Sequence, residues 1–235
     1  MKISDILKQN EVTLSFEVFP PKTDALFESV EKAAGEIAEL KPHFMSVTYG
    51  AGGNTASNTA ELADRLQKQH GVTVLALLTC VAASRDDVRN MVKQYRERGI
   101  ENIMALRGDP PKDGVRSEDY RYAVDLIRDI RSIDDSFCIG GACYPEGHVE
   151  CERQSEDIMH LKEKVEAGCS FLTTQMFFDN NTLYNFLYRI REAGIEVPVL
   201  PGIMPITNRK QVSRSVALSG ATIPQRFRTM VDRFG

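Results

Sequence analysis

The chain has 235 residues, of which 42% are hydrophobic and 26% are charged, and its net charge at pH 7 is −4. A chain of this length and composition can bury one substantial core, so we expect a single catalytic domain over residues 1–235. The small negative charge gives no general attraction for phosphate backbones. We therefore do not expect nucleic acid to be the principal partner.

Seven short apolar runs recur at intervals of about thirty residues, and each ends in polar or turn residues. They begin at Leu14, Phe44, Val72, Ile100, Phe137, Ser170 and Val197. Runs of this length bounded by turn residues are typical of buried strands. Helical patterns lie between them, over residues 25–40, 55–70, 85–98, 117–133, 155–168, 180–193 and 208–218.

Strands that alternate with helices predict a parallel sheet covered on both faces, in an open doubly wound sheet or a closed barrel. The first strand is followed by FPPK rather than a glycine-rich dinucleotide fingerprint, which favours the barrel. A standard barrel has eight strands, whereas seven are visible here. We therefore expect a TIM (β/α)8 barrel that is completed differently or lacks its last β/α unit in this chain.

Neither the amino terminus nor the cysteines point to a secreted or membrane protein. The amino terminus lacks the apolar segment of a signal peptide, and no run approaches the roughly 20 apolar residues of a membrane span. We expect a cytoplasmic protein without a membrane partner. The five cysteines lack CxxC spacing, which favours buried free thiols over disulfides or a metal site.

Glu17 is the first candidate for acid–base chemistry because it lies between Phe16 and Val18 in an apolar strand. A carboxyl group that loses hydration has a raised pKa, which suits it to donate a proton near neutral pH. The alternative is an outward-facing strand residue, and alternation by itself leaves both open.

Arg107, Gly108 and Asp109 end the fourth run, and Pro110 then turns the chain. The carboxylate could stabilise a cationic intermediate, and the glycine lets the backbone approach a planar ligand. A helix cap or a structural Arg/Asp pair is the alternative interpretation.

Other strand ends carry polar and aromatic side chains that suit a heterocyclic ligand. Thr48 and Tyr49 follow the second run, Tyr144 and His148 follow the fifth, and Gln175 ends the sixth. The Gln175 amide can form paired hydrogen bonds with a heterocycle, or it can be a satisfied core amide. No second ligand accompanies His148, so we expect no metal site.

The motifs FEVFPPK, SVTYGAGG, LTC, ALRGDPP, YPEGH, DIMHLKEKVEAG, TTQMFFD and PGIMPI resemble, in order and spacing, those of the methylenetetrahydrofolate reductase family. The resemblance extends from about residue 14 to residue 211. It implies a TIM barrel with noncovalent FAD, in which NADH or NADPH reduces the flavin. The flavin then reduces 5,10-methylenetetrahydrofolate to 5-methyltetrahydrofolate.

The resemblance also implies roles for individual residues. Glu17 matches the acid that protonates a folate nitrogen, Asp109 matches the carboxylate near flavin and pterin, and Gln175 and Gln211 match folate-contacting amides. The positions that match flavin-binding residues are Thr48, Tyr49, Ala51, Arg107, Gly108, Asp109, Tyr122, Ala123, Tyr144, His148, Asp157, His160 and Lys164.

Several positions depart from the family pattern, among them Ser215, which stands where some relatives have an aromatic residue near folate. Leu77 stands where His is frequent, His160 replaces a common Asn, and Glu163 replaces an Arg that helps to hold the cofactor phosphates. An added anion predicts weaker FAD binding unless Lys162 or another base compensates, so FMN or weak FAD loading remains an alternative. A flavin-free pterin-binding methyl-transfer protein and a noncatalytic subunit are the alternative functions, and a homo-oligomer or a partner subunit stays open.

Overall fold

A computed structural model describes residues 1–9, 12–21, 23–49, 53–110, 114, 116–206 and 208–234. The strands are β1 Ser15–Val18, β2 Phe44–Val47, β3 Val74–Thr79, β4 Asn102–Leu106, β5 Cys138–Cys143, β6 Cys169–Thr174 and β7 Val199–Leu200. The helices are α1 Ile3–Gln9, α2 Phe27–Ala38, α3 Gly53–His70, α4 Arg85–Glu97, α5 Ala123–Ile133, α6 Gln154–Glu166, α7 Asn180–Glu192, α8 Arg209–Ser219 and α9 Gln225–Phe234.

The chain forms two compact units. The first comprises Met1–Gly141 with Ala167–Ser170, and the second comprises Ala142–Glu166 with Phe171–Gly235. In the first unit β1 to β5 pair in parallel in chain order, and in the second β6 pairs in parallel with β7. The predicted fold class is confirmed: seven parallel strands alternate with helices, as in a TIM barrel that lacks its last β/α unit.

The register of the first strands places Glu17 and Ser46 on the same face of the sheet. Glu17 pairs with Ser46, and Ser46 pairs with Leu75. Partners in a parallel pair point to the same face, so these three side chains share one side of the sheet. The alternate residues Met45 and Val74 are fully buried at 0% exposure, as expected where helices cover a parallel sheet.

The helix that we expected over residues 117–133 begins only at Ala123. The Asp125 carboxylate accepts from the N–H groups of Arg121 and Tyr122 at 3.1 and 2.9 Å, which fixes the start of α5. Ser117 is instead held in a loop, since its N–H donates to the Val81 carbonyl at 2.7 Å. A long-range contact therefore overrides the local helical pattern.

The second unit has its own hydrophobic core. Its buried members are Cys143, Leu161, Leu172, Leu183, Phe186, Ile190 and Ile195. They come from β5, α6, β6, α7 and the chain after α7. Burial of each large apolar side chain contributes about 1.5–3 kcal/mol, so this cluster fixes α6 and α7 against the ends of β5 and β6.

All five cysteines are free, and Cys80, Cys138, Cys143 and Cys169 are buried, which confirms the expected thiols. Burial raises the pKa of the Cys80 and Cys143 thiols to about 12, so both stay protonated at neutral pH. Within the described residues, no helix combines the length and the apolar character needed to cross a membrane.

Helix α1 is anchored through Asn102, a β4 side chain that is only 1% exposed. Its Oδ1 accepts from the Ile3 N–H at 2.8 Å, and its Nδ2 donates to the Met1 and Val74 carbonyls at 3.1 Å each. We expect Asn102→Ala to lower the free energy of unfolding by about 2 kcal/mol, because buried partners lose their hydrogen bonds. Denaturant unfolding measures this change.

Glu101→Gln is the matched control for Asn102→Ala. Glu101 pairs with the Met1 amino group, but both groups are exposed, so this pair is worth less than about 1 kcal/mol. Equal effects of the two substitutions, or unchanged amide exchange in α1 of Asn102→Ala, would show that Asn102 does not anchor the helix.

Candidate active site

The first unit places several predicted site residues at one edge of its sheet. Because β1, β2 and β4 all run parallel, their carboxyl ends meet at the same edge. Glu17 lies near the end of β1, Thr48 directly follows β2, and Arg107 directly follows β4. Within this unit the topology therefore gathers residues that are far apart in the sequence.

The Glu17 carboxyl group is reached by water, yet protein atoms fill much of the volume around it. This loss of hydration raises the pKa of Glu17, and a hydrogen bond from Ser46 opposes the rise by a smaller amount. Ser46 is buried, and its Oγ lies 3.5 Å from Glu17 Oε2. A carboxyl group with a raised pKa and access to solvent can hold a proton and give it to a ligand.

Thr48 and Tyr49 are both half-buried at the end of β2. The Thr48 carbonyl accepts from Thr59 Oγ1 at 2.8 Å, and its N–H donates to the Val18 carbonyl at 3.0 Å. Burial, and then the nearby Asp87 carboxylate, raise the pKa of the Tyr49 hydroxyl. Tyr49 therefore remains a hydrogen-bond donor at neutral pH, while the predicted flavin contact Ala51 lies outside the described residues.

The loop after β4 is packed closely against the end of β3. Gly108 has φ +88°, and a Cβ atom there would lie 3.0 Å from Thr79 Cβ and 3.1 Å from Val81 Cγ1. Only glycine adopts this conformation without strain in so little space. The adjacent Arg107 is half-buried and Asp109 is exposed, so the carboxylate can reach a ligand in solvent.

Tyr122 and Ala123 lie at the start of α5 in the first unit. The Tyr122 side chain is 46% exposed, and the Arg121 guanidinium lies 5.2 Å from its ring centroid. The Tyr122 carbonyl is near the buried Cys80 thiol, with 3.9 Å between oxygen and sulfur. Both residues are thus held by the turn that opens the helix, with an aromatic ring left accessible.

In the second unit, the loop after β5 brings together Tyr144, His148 and Asp157. The rings of Tyr144 and His148 meet edge to face with centroids 4.7 Å apart. The main-chain N–H of His148 donates to Asp157 Oδ2 at 3.2 Å. The ring nitrogen Nδ1 of His148 accepts from the main-chain N–H of Glu150 at 3.1 Å. A neutral His148 therefore carries its proton on Nε2.

Helix α6 places Asp157, His160 and Lys164 on one face, at a spacing of three and four residues. Lys164 Nζ donates to the Ala142 carbonyl at 2.6 Å, which fixes the cation beside the end of β5. His160 Nδ1 lies 3.6 Å from Glu163 Oε2, and the two form an ion pair when His160 is protonated. His160 can thus offset the Glu163 charge.

Lys162, one of the bases that could compensate for the Glu163 charge, lies near the end of α7. Its Nζ lies 4.0 Å from the position of a Cβ atom built on Gly194, at the end of α7. The described contact of Glu163 is with His160 instead. Leu77, the other departure, is a buried β3 residue in register with Met104.

Gln175 directly follows β6 and is half-buried. Its N–H donates to the Cys143 carbonyl at 2.8 Å, and its side-chain Oε1 accepts from the Met176 N–H at 2.9 Å. The first contact ties the end of β6 to the end of β5 within the second unit. The second contact orients the amide, so the Gln175 side chain is fixed in direction before any ligand binds.

Gln211 lies in the first turn of α8. Its N–H donates to Asn208 Oδ1 at 3.2 Å, which caps the helix. On the same helix Ser215 is buried at 3% exposure, with its Oγ 3.7 Å from Met204 Sδ. The cap fixes the backbone that carries Gln211.

Three contacts that shape these groups are not predictable from the sequence. Ser46 donates to Glu17, Thr174 holds Gly202, and Thr222 binds Glu146. The partners lie 29, 28 and 76 residues apart, so no local pattern reveals them. The sequence features that could have pointed to these contacts are the hydroxyl of Ser46 in an apolar strand, Gly202 after a proline, and the Glu146 carboxylate in a turn.

A family model described as methylenetetrahydrofolate reductase matches residues 2–234 of the chain. The 5,10-methylenetetrahydrofolate reductase of Pectobacterium carotovorum subsp. carotovorum is 36% identical, with 95% of this chain and 74% of that protein covered. Methylenetetrahydrofolate reductase 1 of Schizosaccharomyces pombe is 41% identical, with 97% of this chain and 39% of that protein covered.

A solved structure extends the fold comparison. An uncharacterised protein from Clostridium thermocellum that binds two copies of 5-methyl-5,6,7,8-tetrahydrofolic acid superposes with a TM-score of 0.69. It covers 100% of this chain and 80% of its own, but at 12% identity the likeness concerns the fold alone. The match of the family model over residues 2–234, together with the Pectobacterium relative, shows that the chain belongs to the methylenetetrahydrofolate reductase family.

Proposed function

We propose that this chain reduces 5,10-methylenetetrahydrofolate to 5-methyltetrahydrofolate with NADH or NADPH, and that it uses a noncovalent flavin. Family membership supports the substrate. The observation that carries the proposal is Glu17, a solvent-accessible carboxyl group at the carboxyl edge of the sheet whose pKa is raised by loss of hydration. Such a group remains protonated closer to neutral pH than an ordinary glutamate.

Each unit, taken by itself, offers groups that fit part of a flavin. The first offers the hydroxyl groups of Thr48 and Tyr49 and the tightly packed backbone at Gly108, where a side chain would collide with β3. The second offers the ring of Tyr144 and the fixed Lys164 cation, which suits a phosphate. We propose FAD as the cofactor, with FMN as the alternative that the Glu163 carboxylate would favour.

A bound flavin would supply hydride transfer between the nicotinamide and the folate. Glu17 would protonate a folate nitrogen as the methylene bridge opens, because only a neutral carboxyl group can supply that proton. Asp109 would then favour the resulting cation on the substrate by its negative charge. Gln175 and Gln211 would orient the heterocycle through amide hydrogen bonds.

The proposal predicts a two-step change in the absorbance of protein reconstituted with FAD under anaerobic conditions. Addition of NADH or NADPH should bleach the flavin band near its visible maximum, and subsequent addition of 5,10-methylenetetrahydrofolate should restore it. The product is checked as 5-methyltetrahydrofolate by chromatography and mass. A heat-treated sample controls for reactions of free flavin.

Each other outcome identifies a different function. Folate binding without any retained flavin would overturn the proposal in favour of a flavin-free pterin-binding protein. Bleaching without recovery would indicate a flavoprotein that acts on another oxidant. Neither flavin nor folate binding by the isolated chain, with both restored by a copurifying polypeptide, would favour the noncatalytic subunit.

A further inference from the structure

We propose that Glu146 is a positioning residue, and that its contact with Thr222 couples the turn between α8 and α9 to the loop that carries Tyr144 and His148. We call the Glu146–Thr222 contact the latch. The inference rests on the proposed function, because it assigns the loop a flavin to hold. It adds a control element that lies outside the predicted cofactor contacts.

The latch consists of several hydrogen bonds to one carboxylate. The Thr222 N–H lies 2.9 Å from Glu146 Oε1 and 3.0 Å from Oε2, and Thr222 Oγ1 donates to Oε2 at 2.5 Å. The Glu146 main-chain carbonyl also accepts from Gln154 Nε2 at 3.0 Å. Hydrogen bonds to a charged acceptor are stronger than neutral ones. The carboxylate and the main chain of Glu146 are therefore both held in place.

The turn that offers Thr222 is itself rigidly built. Gly220 ends α8 in the left-handed conformation, with φ +68°, and Ser219 Oγ accepts from the Ala221 N–H at 3.1 Å. Ala221 is buried at 4% exposure, which anchors the turn. Because these contacts set the direction of the Thr222 N–H, the turn can act as a fixed support for the loop.

A second contact joins the same turn and loop. A Cβ atom on Gly220 would lie 2.7 Å from Val149 Cγ1, so the two segments approach closely and a side chain at Gly220 would displace that of Val149. Within the loop, Gly147 has φ +91° and its N–H donates to the Tyr144 carbonyl at 3.0 Å. The latch residue thus lies between Tyr144 and His148, on a turn whose geometry determines where both rings point.

The physical consequence is preorganisation of a ligand-binding loop. If the latch opens, the loop gains conformations in which Tyr144 and His148 do not present their rings together. A ligand that needs both rings must then repay that conformational freedom, which lowers its affinity without changing the chemistry of the bound state. Linkage makes the effect reciprocal: a bound flavin should also stabilise the latch.

The test measures FAD affinity and turnover of the full chain for Glu146→Ala. We expect the Kd for FAD, measured by quenching of flavin fluorescence, to rise about tenfold, as expected when one charge-assisted contact is lost. At saturating FAD, kcat should stay within about twofold of the parent value, since the bound state is unchanged. Thr222→Val keeps the main-chain donor and removes only the hydroxyl, so its effect should be smaller.

Glu152→Ala is the matched control, because Glu152 is an exposed carboxylate near the same loop and should leave the Kd unchanged. Amide exchange gives a readout that a purely structural role would not move. FAD should slow exchange of the Thr222 N–H in the parent chain, and this protection should disappear in Glu146→Ala.

The outcomes separate the latch from the proposed function. An unchanged Kd for Glu146→Ala, or a lower melting temperature of the apoprotein with FAD protection at Thr222 intact, overturns the latch while the flavin function stands. Absence of FAD binding by the parent chain overturns both the latch and the flavin function. If amide exchange at Gly147 and His148 is then faster in Glu146→Ala, the Glu146–Thr222 contact has a structural role only.

Discussion

Glu17→Gln should leave reduction of the flavin by NADH or NADPH nearly unchanged and slow reduction of methylenetetrahydrofolate by about a hundredfold or more. Only the folate half-reaction needs the proton of the carboxyl group, and glutamine preserves the size and polarity of the side chain. Stopped-flow absorbance under anaerobic conditions measures the two half-reactions separately. Loss of equal size in both would contradict a role as acid and would indicate damage to flavin binding.

The pH dependence of the folate half-reaction provides a second measurement of the same role. Burial raises the pKa of Glu17, and the protonated form is the donor, so the rate should be highest at low pH and fall as pH rises through that pKa. In Glu17→Gln the residual rate should lose this dependence. Glu97→Gln changes an exposed carboxylate at the end of α4 and should retain the parent profile.

Gly202→Ala should lower the free energy of unfolding by about 3 kcal/mol, the upper range for overpacking. The added Cβ atom would lie 2.3 Å from the Thr174 carbonyl oxygen, and a main-chain atom at the end of β6 cannot move aside as a flexible side chain can. The shift would also disturb the hydrogen bond from the Gly202 N–H to Thr174 Oγ1, now 2.8 Å long. Denaturant unfolding with constant m value measures the loss.

Gly194→Ala is the control for this substitution in the same unit. Gly194 has φ +80°, but the nearest atom to an added Cβ, Lys162 Nζ, is 4.0 Å away. The methyl group therefore meets open space, and the expected cost is only the strain of about 1 kcal/mol for an L side chain in the left-handed region. A loss at Gly202 no larger than at Gly194 would show that β6 and the following chain adjust freely.

The loop containing Arg107, Gly108 and Asp109 shows which features can be predicted from a local segment of sequence. The sequence places a glycine and a carboxylate at the end of a strand, and the structure adds that the side chains of Thr79 and Val81 leave space for glycine only at position 108. Residue type and turn chemistry are local properties, so they can be read from one segment. The collision that excludes a side chain depends on a neighbouring strand and cannot be read there.

The prediction that a helix begins at residue 117 was wrong for the same reason. The apolar spacing of the segment is compatible with a longer helix, but hydrogen bonds from Ser117 to Val81 and Ala83 hold the first residues in a loop. The helical propensity of a segment is worth tenths of a kcal/mol per residue, so a few tertiary hydrogen bonds are sufficient to override it.

The sequence by itself determined the seven strands, the alternation with helices, the free thiols and the family, because periodicity and ordered motifs are properties of short segments. Only the tertiary structure decided that Glu17 shares a face with Ser46, that His160 contacts Glu163, and that Glu146 binds Thr222. Strand register, the rotation of a helix and contacts across 76 residues depend on packing of the whole unit, which no segment contains.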